Sequence, residues 1–185
     1  MECRIASTEI EQTAVLRQRH DVFVEEFNFF APKDAIQKLE YDQYDTYALL
    51  FGVWEEDNLI ASCRLILPNC PFGLPTLTSM QIDSEKFKND QTTAEISRIT
   101  IASTQRGFRK TIRILQIMQQ EINRISAEYA IVQWVGAVGP AFLRLLNQSR
   151  LPYRPIGPLQ LHIGAERYPI ILTLQEYTSS LKETR

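Results

Sequence analysis

Four short segments of this sequence carry charge where hydrophobic patterning calls for apolar residues. Arg19 stands four positions before Phe23 in a helical pattern. Glu40, Asp42 and Asp45 crowd a loop, Arg64 interrupts the apolar run 61–67, and Glu95 and Arg98 flank Ile96-Ser97. Strand alternation puts Cys63, Leu65 and Leu67 on one face and Ser62, Arg64 and Ile66 on the other, so Arg64 shares a face with apolar Ile66. A charge placed there needs a partner. One opposite charge at about 4 Å supplies roughly 4 kcal/mol of gross attraction at an effective dielectric near 20, although desolvation can cancel it. The acids at 40–45 are the natural candidates. Taken singly, each of these residues also reads as a solvated surface charge. Taken together, they offer carboxylates that could accept a proton and arginines that could hold an anion.

A second cluster lies at Thr104-Gln105-Arg106-Gly107-Phe108-Arg109-Lys110 and Arg113. Arg106, Arg109, Lys110 and Arg113 recur three or four residues apart, the spacing of one helix face. Cations at a helix N-terminus oppose its dipole by roughly 0.3–1 kcal/mol each, and a bound anion reverses that penalty. The plain alternative is a solvated basic turn. His20 and His162 lie beside no credible nucleophile, and Cys63 and Cys70 have no histidine within a recognisable motif, so neither thiol nor histidine chemistry is expected.

The elements that must position these groups can be read from periodicity and punctuation. A short strand at 2–6 precedes Thr8 and Glu11, a capping-box pair, which opens a helix from Glu9 to about Phe27. A polar loop containing Pro32 follows. Two β-rich runs, Tyr47–Trp54 and Leu59–Leu67, flank a hairpin turn at 55–58, and Pro68, Pro71, Gly73 and Pro75 mark a loop. A strand at Ala94–Ala102 leads into a helix whose Ile112, Leu115, Met118, Ile122, Ile125 and Tyr129 recur at three- and four-residue steps. A buried strand at Ala130–Val135, a helix opened by Pro140, and β segments at Leu159–Ile163 and Pro169–Leu174 complete the chain. This order specifies a mixed α/β sheet covered by helices.

No repeat or linker divides the 185 residues, so one domain spanning 1–185 is expected. The three cysteines cannot all pair, they lack metal-ligand spacing, and two histidines complete no zinc set. With no export signal and no apolar run near the length of a membrane span, a cytoplasmic protein is expected. The net charge of −2 hides an asymmetry: residues 1–60 hold thirteen acids against five Lys/Arg, whereas residues 96–154 hold nine Lys/Arg against two acids. No nucleic-acid motif accompanies the basic part, and the acidic first third argues against a phosphate-backbone binder.

Arg19-His20-Asp21-Val22-Phe23, Glu40-Tyr41-Asp42-Gln43-Tyr44-Asp45, the Arg64-Leu65 strand and Glu95-Ile96-Ser97-Arg98 resemble, in order and spacing, sequence blocks of the autoinducer (acyl-homoserine lactone) synthases. The resemblance spans residues 15–175. It implies a GNAT fold that makes an acyl-homoserine lactone from S-adenosylmethionine and an acyl carrier protein thioester, with acyl-CoA as the other donor and no tightly bound cofactor or metal. Arg19, Phe23, Asp42, Asp45, Arg64, Glu95 and Arg98 fall on the family's functional positions. Phe29 stands where those synthases have tryptophan, and Ile99 where they have phenylalanine. The 67–75 loop and the 155–169 tail look closer to exosortase-associated acyltransferases and N-acyl amino acid synthases, which leaves the amine acceptor open.

On this mapping Glu95 is the expected base, with Arg98 and Asp45 beside it at the catalytic end and Asp42 helping to orient the acceptor. Arg64 braces the acids. Arg19, Phe23, Phe29, Asp42 and Arg64 form the substrate-binding set, and Phe27, Phe30 and Trp54 are further candidates for pocket walls. Gly107 fits the first glycine of the GNAT pyrophosphate loop, but Thr104 and Arg109 miss its flanking positions. Arg106, Gly107, Arg109, Lys110 and Arg113 are therefore assigned to docking an acidic acyl carrier protein or its phosphopantetheine phosphate. A protein-lysine or small-amine acetyltransferase, or a non-catalytic small-molecule sensor on the same fold, are the competing readings.

Overall fold

The computed structural model describes residues 1–31, 36–87 and 92–182. Strand β1 (Glu2–Ile5) leads to helix α1 (Glu9–His20), which the expected capping box opens: the Thr8 hydroxyl accepts from the Glu11 amide and the Glu11 carboxylate accepts from the Thr8 amide. The helix does not run evenly to Phe27. At Asp21–Glu26 it widens into a π-helix, in which the Phe27 amide reaches back five residues to the Val22 carbonyl at 3.1 Å. Such widenings are uncommon and concentrate at functional sites. The loop position Pro32 lies outside the described residues.

The hairpin forms from β2 (Ala48–Glu55) and β3 (Asn58–Ile66), turning at Glu56, whose φ is +54°. After the proline-rich loop, a helical turn α2 (Pro75–Ser79) precedes β4 (Thr93–Ile101). Helix α3 (Phe108–Ser126), strand β5 (Gln133–Val138) and helix α4 (Pro140–Gln148, with proline in its first turn) follow. Short strands β6 (Arg154–Pro155) and β7 (Gln160–His162), long β8 (Ala165–Thr173) and helix α5 (Leu174–Lys182) end the described chain. The sheet runs β1-β2-β3-β4-β5-β8-β6, with β7 paired to β8, and among the described residues its one parallel contact joins β4 to β5. This is the mixed sheet flanked by helices that the pattern specified.

Strand β5 and the buried stripe of α3 differ from the sequence reading. Strand β5 starts three residues later than Ala130, because Ala130 adopts a left-handed φ of +52° closing the turn after α3. It then continues through Gly136, where a Cβ would lie 2.7 Å from the Ile96 carbonyl oxygen. The buried stripe of α3 is also rotated: Ile114, Leu115, Met118, Ile122 and Ile125 face the sheet, while Ile112 is only half-buried and Tyr129 is exposed. Each fully buried side chain of this kind contributes roughly 1.5–3 kcal/mol. The stripe packs with Phe51, Cys63 and Leu65 on one face of the sheet. Val15 of α1 packs with Leu50 on the other.

Candidate functional site

The strand registers explain why the charged residues meet. Arg64 pairs with Leu50 on one side and Ser97 on the other, while Glu95 pairs with Ile66 and Val135. Residues paired across a sheet share a face, so Arg64, Glu95 and Ser97 emerge together on the side that α1 covers. One extra residue on β4 between Ser97 and Thr100 makes a β-bulge, and Arg98 within it takes a φ of +53°. A left-handed, non-glycine residue costs of the order of 1–3 kcal/mol and concentrates at functional sites.

Three arginines and three carboxylates close into a ring. Arg19 bonds Glu40 at 2.6 Å and Asp45 at 2.7 Å; Arg64 bonds Asp45 at 3.0 Å and Asp42 at 2.5 Å; Arg98 bonds Asp42 at 3.0 Å and Glu40 at 3.1 Å. Each arginine therefore bridges two acids and each acid two arginines, leaving the ring neutral. The side chains of Arg19 and Arg64 are 1% exposed. Further contacts fill the remaining valences: Arg64 donates to the Ser97 hydroxyl at 3.1 Å, and the Asp42 amide donates to Asp45 at 2.8 Å. Burial by itself would raise the Asp45 carboxyl, but the guanidinium of Arg19, helped by Arg64, holds it down at about 2.

A cavity of about 500 Å³ opens where β4 and β5 part after their three paired positions. Ile96–Ile99 and Ala137–Gly139 form its two edges, and Phe23, Phe29 and Phe30 wall it from the π-helical side. Asp42, Arg64 and Arg98 present the ring to the cavity, whereas Arg19, Glu40 and Asp45 stand behind. Asp45, expected beside Glu95 at the catalytic end, stands behind this lining and is bonded to Arg19 and Arg64. Trp54 lies near the sheet edge beneath Arg4, whose guanidinium carbon is 4.9 Å from its ring centre, and outside the cavity. Phe27 is half exposed and stacks on Phe29, with ring centroids 5.3 Å apart. A narrow apolar gap of about 30 Å³ shares Ile96, Ile99 and Val138 with the cavity and runs on toward α3 and α4.

Of the described carboxyl groups lining the cavity, Glu95 is the one outside the ring. It is 3% exposed and lines the cavity, and its carboxylate accepts from the Thr76 amide at 2.8 Å. Burial pushes it up to about 7, against the opposing pull of the Thr76 hydrogen bonds and the positive Arg64 and Arg98. It makes no hydrogen bond to Arg98, whose carboxylate partners are Glu40 and Asp42. A carboxyl group poised near neutrality in a cavity has the properties of a general acid or base.

The basic cluster divides. Arg106 folds back onto Glu26, at 2.7 Å for one of its two bonds, and onto the Ile101 carbonyl; Lys110 pairs with Glu55 at 2.9 Å. Two of the four cations on this face therefore already have carboxylate partners. Arg109 and Arg113 are exposed and carry no ion pair among the described residues. Gly107 caps α3 with extended backbone, and a Cβ there would meet nothing within 4 Å.

His162, to which the sequence assigned no chemistry, and Arg167, which it did not single out, also line the cavity from the β7–β8 hairpin. Arg167 donates to the His162 carbonyl at 3.1 Å and lies 5.0 Å from the Phe29 ring centre. Nothing local marks them, because their place depends on how the hairpin folds across the π-helical aromatics. All three cysteines are buried and unpaired, and burial raises the Cys63 thiol well above its ordinary value. Among the described residues no helix is long and apolar enough to cross a membrane.

The site therefore lies on a mixed sheet whose central parallel strands part over a cavity. Residues 18–116 match the family model of the acetyltransferase (GNAT) domain. That is more than half of the chain, and the chain belongs to this family of acyltransferases. By sequence, no curated protein matches it. Among solved structures it is similar to FeeM, an N-acyl amino acid synthase from uncultured soil microbes, at TM-score 0.74 and 17% identity over 99% of this chain and 97% of that one. It is similar also to BjaI, a CoA-dependent acyl-homoserine lactone synthase solved with SAM and isopentyl-CoA, at TM-score 0.73 and 19% identity over 98% and 87%. TofI, solved in a ternary complex with an inhibitor and MTA, gives TM-score 0.69 and 16% identity over 98% and 97%. These likenesses are of fold.

Proposed function

We propose that the whole chain 1–185 acts in the cytoplasm as an N-acyltransferase, moving a fatty acyl group from an acyl carrier protein or CoA thioester to the amine of S-adenosylmethionine. The product is then an acyl-homoserine lactone. The observation that carries the reading is Glu95, a buried carboxyl held at about 7 on the wall of a 500 Å³ cavity. The amine attacks the thioester carbonyl, forming the C–N bond; Glu95 takes the amine proton, directly or through water, and as the C–S bond breaks the departing thiolate takes that proton to leave as the thiol. The acceptor's own carboxylate then displaces methylthioadenosine, forming a C–O bond as the C–S⁺ bond breaks, and the lactone closes. Arg98 and Asp42 orient the acceptor. Arg64, Arg19 and Asp45 hold those two in place from behind. Phe23, Phe29 and Phe30 supply apolar walls, and the gap beyond Ile99 and Val138 continues in the direction an acyl chain would take.

A second reading is favoured by the ring itself. Its acids are all committed to arginines, so among the described residues no unpaired carboxylate other than Glu95 faces the cavity to meet a sulfonium. A free amino acid then serves as acceptor and an N-acyl amino acid is the product. Mass spectrometry of lipid extracts from bacteria expressing the chain decides between the two. Acyl lactones, with methylthioadenosine released by the purified protein, support the first; acyl amino acids without it support the second; neither product overturns acyl transfer to an amino-acid-like amine.

The donor side is proposed to be a protein. Arg109 and Arg113 are the cations of the basic cluster left to meet an acidic carrier. Reversing both charges, Arg109→Glu with Arg113→Glu, should raise the Michaelis constant for an acyl carrier protein substrate roughly 3–10-fold, mainly at low salt, as rim charges act on encounter. Acyl-CoA turnover and melting temperature should stay nearly unchanged. An unaltered Michaelis constant would reassign the donor to CoA.

A further inference from the structure

Four arginines face or brace the cavity, and three of them each grip two carboxylates in the ring. The fourth does not. Arg167 has a backbone carbonyl and an aromatic ring as partners, and no carboxylate pairs with it among the described residues. The reason a chain would place a guanidinium half-buried in a cavity wall without a counter-ion is electrostatic. Removing a charge from water is costly unless something of opposite charge arrives.

Its surroundings increase that demand. Burial and the nearby positive Arg98 both lower the Arg167 guanidinium below its ordinary value, and burial with Arg167 and Arg98 lowers His162. The ring contributes no net charge, so this end of the cavity is electropositive. The position of Arg167 is also well fixed. Its guanidinium sits over Phe29, Phe29 stacks on Phe27 with planes 13° apart, and Arg106 lies over Phe27 at 5.8 Å, itself tied to Glu26. A planar donor held this way pairs with a planar two-oxygen anion.

We infer that Arg167 is the binding group for the carboxylate of the acceptor, so that the enzyme selects amines bearing a carboxylate and discriminates against their amides and decarboxylated counterparts. This rests on the acyl-transfer reading and deepens it, since it names the chemical class of the acceptor and the residue that reads it. A phosphopantetheine phosphate is the other anion of the reaction. The basic residues placed to meet it, Arg109 and Arg113, belong to α3, whereas Arg167 shares its wall with Phe29 and Arg98 on the acceptor side.

The test measures binding separately from turnover. Free amino acids, each matched with its carboxamide, together with S-adenosylmethionine and 4′-phosphopantetheine, are titrated into the wild type, Arg167→Gln and Arg167→Lys by calorimetry and thermal shift. The wild type should bind at least one carboxylate roughly 10–100-fold more tightly than its carboxamide, the size expected for charge-assisted hydrogen bonds. Arg167→Gln should abolish that preference, and Arg167→Lys should restore part of it. Equal binding of acid and amide, no binding of any carboxylate, an undiminished preference in Arg167→Gln, or a loss confined to 4′-phosphopantetheine would each overturn the assignment. Thiol release measured on the same samples reports separately on acyl transfer: release with acid and amide alike sinks the role of Arg167 and leaves the transferase reading standing.

Discussion

Replacing Glu95 with glutamine should lower kcat for acyl transfer at neutral pH by roughly 10²–10⁴-fold, the usual contribution of a positioned general base, with little change in acceptor affinity. The amide oxygen of the introduced glutamine can still accept from the Thr76 amide, so geometry is kept and proton affinity is lost. The same substitution should leave a distinctive mark on stability. The wild-type carboxyl moves from an ordinary 4.5 to about 7 on folding, so between those values the folded state holds a proton that the unfolded state has released. Stability from this group is fully present below about pH 4.5 and is lost as pH rises through about 7. The loss approaches about 3 kcal/mol if the whole shift is realised, at about 1.4 kcal/mol for each unit. Glu95→Gln removes that loss. Relative to wild type, the variant should therefore gain melting temperature between about pH 4.5 and about pH 8, by up to roughly 6–12 °C for a chain of this length. A melting temperature that falls at about pH 8, with the rate unchanged, would make Glu95 a structural group.

Breaking the arginine–carboxylate ring should produce the largest loss of stability. Arg64→Gln removes one bridge between Asp42 and Asp45 and leaves two carboxylates under-compensated, at a cost of about 3–5 kcal/mol for a buried pair deprived of one partner. Thermal melting at neutral pH should fall by roughly 6–20 °C. Asp45→Asn made on the Arg64→Gln background should cost much less than it does on the wild type, because the two share one network, and coupling energies in such networks reach about 0.5–3 kcal/mol. The acid side follows from the depressed Asp45. Its contribution is complete above about pH 4 and disappears as pH falls through about 2. Additive effects of the two substitutions, or a melting temperature within about 2 °C of wild type, would show that the ring is not a cooperative unit.

Some of these residues declare their place in the sequence and others do not, for physical reasons. The capping box at Thr8 and Glu11 is a local signal, and it forms as read. Arg64 is anomalous in a strand of apolar neighbours, so its need for the 40–45 acids was legible, and both Asp42 and Asp45 meet it. What sequence left open was the order of partners around the ring. The mapping put Asp45 forward and gave Glu40 no role, yet Asp45 lies behind the wall and Glu40 joins Arg19 to Arg98. Rank within a cluster depends on which side the cavity opens, and that depends on β4 and β5 parting after Glu95 and Val135.

The shift of β5 has a similar cause. Ala130-Ile131-Val132 has the composition of a buried strand, but Ala130 is taken up by a left-handed turn and the strand uses Gly136 instead, where the Ile96 carbonyl leaves no room for a side chain. The π-helix at Asp21–Glu26 has no compositional signature at all. The place of His162 and Arg167 in the site could not be read from sequence, because a hairpin more than a hundred residues along the chain brings them against aromatics that follow the first helix. Charge counting along a chain does not register that Glu26 and Glu55 already hold Arg106 and Lys110.

The proposed acyl transfer turns on Glu95 taking the proton of an amine that attacks a thioester. The pH dependence of kcat/KM for amide formation, followed by thiol release with the product verified by mass spectrometry, tests it directly. In the wild type the rate should rise with pH through about 7 as Glu95 ionises, and in Glu95→Gln that limb should be gone, leaving a slow rate that climbs only as the amine itself loses its proton. An identical profile in both proteins, or thiol release from the wild type with no amide formed, would contradict it.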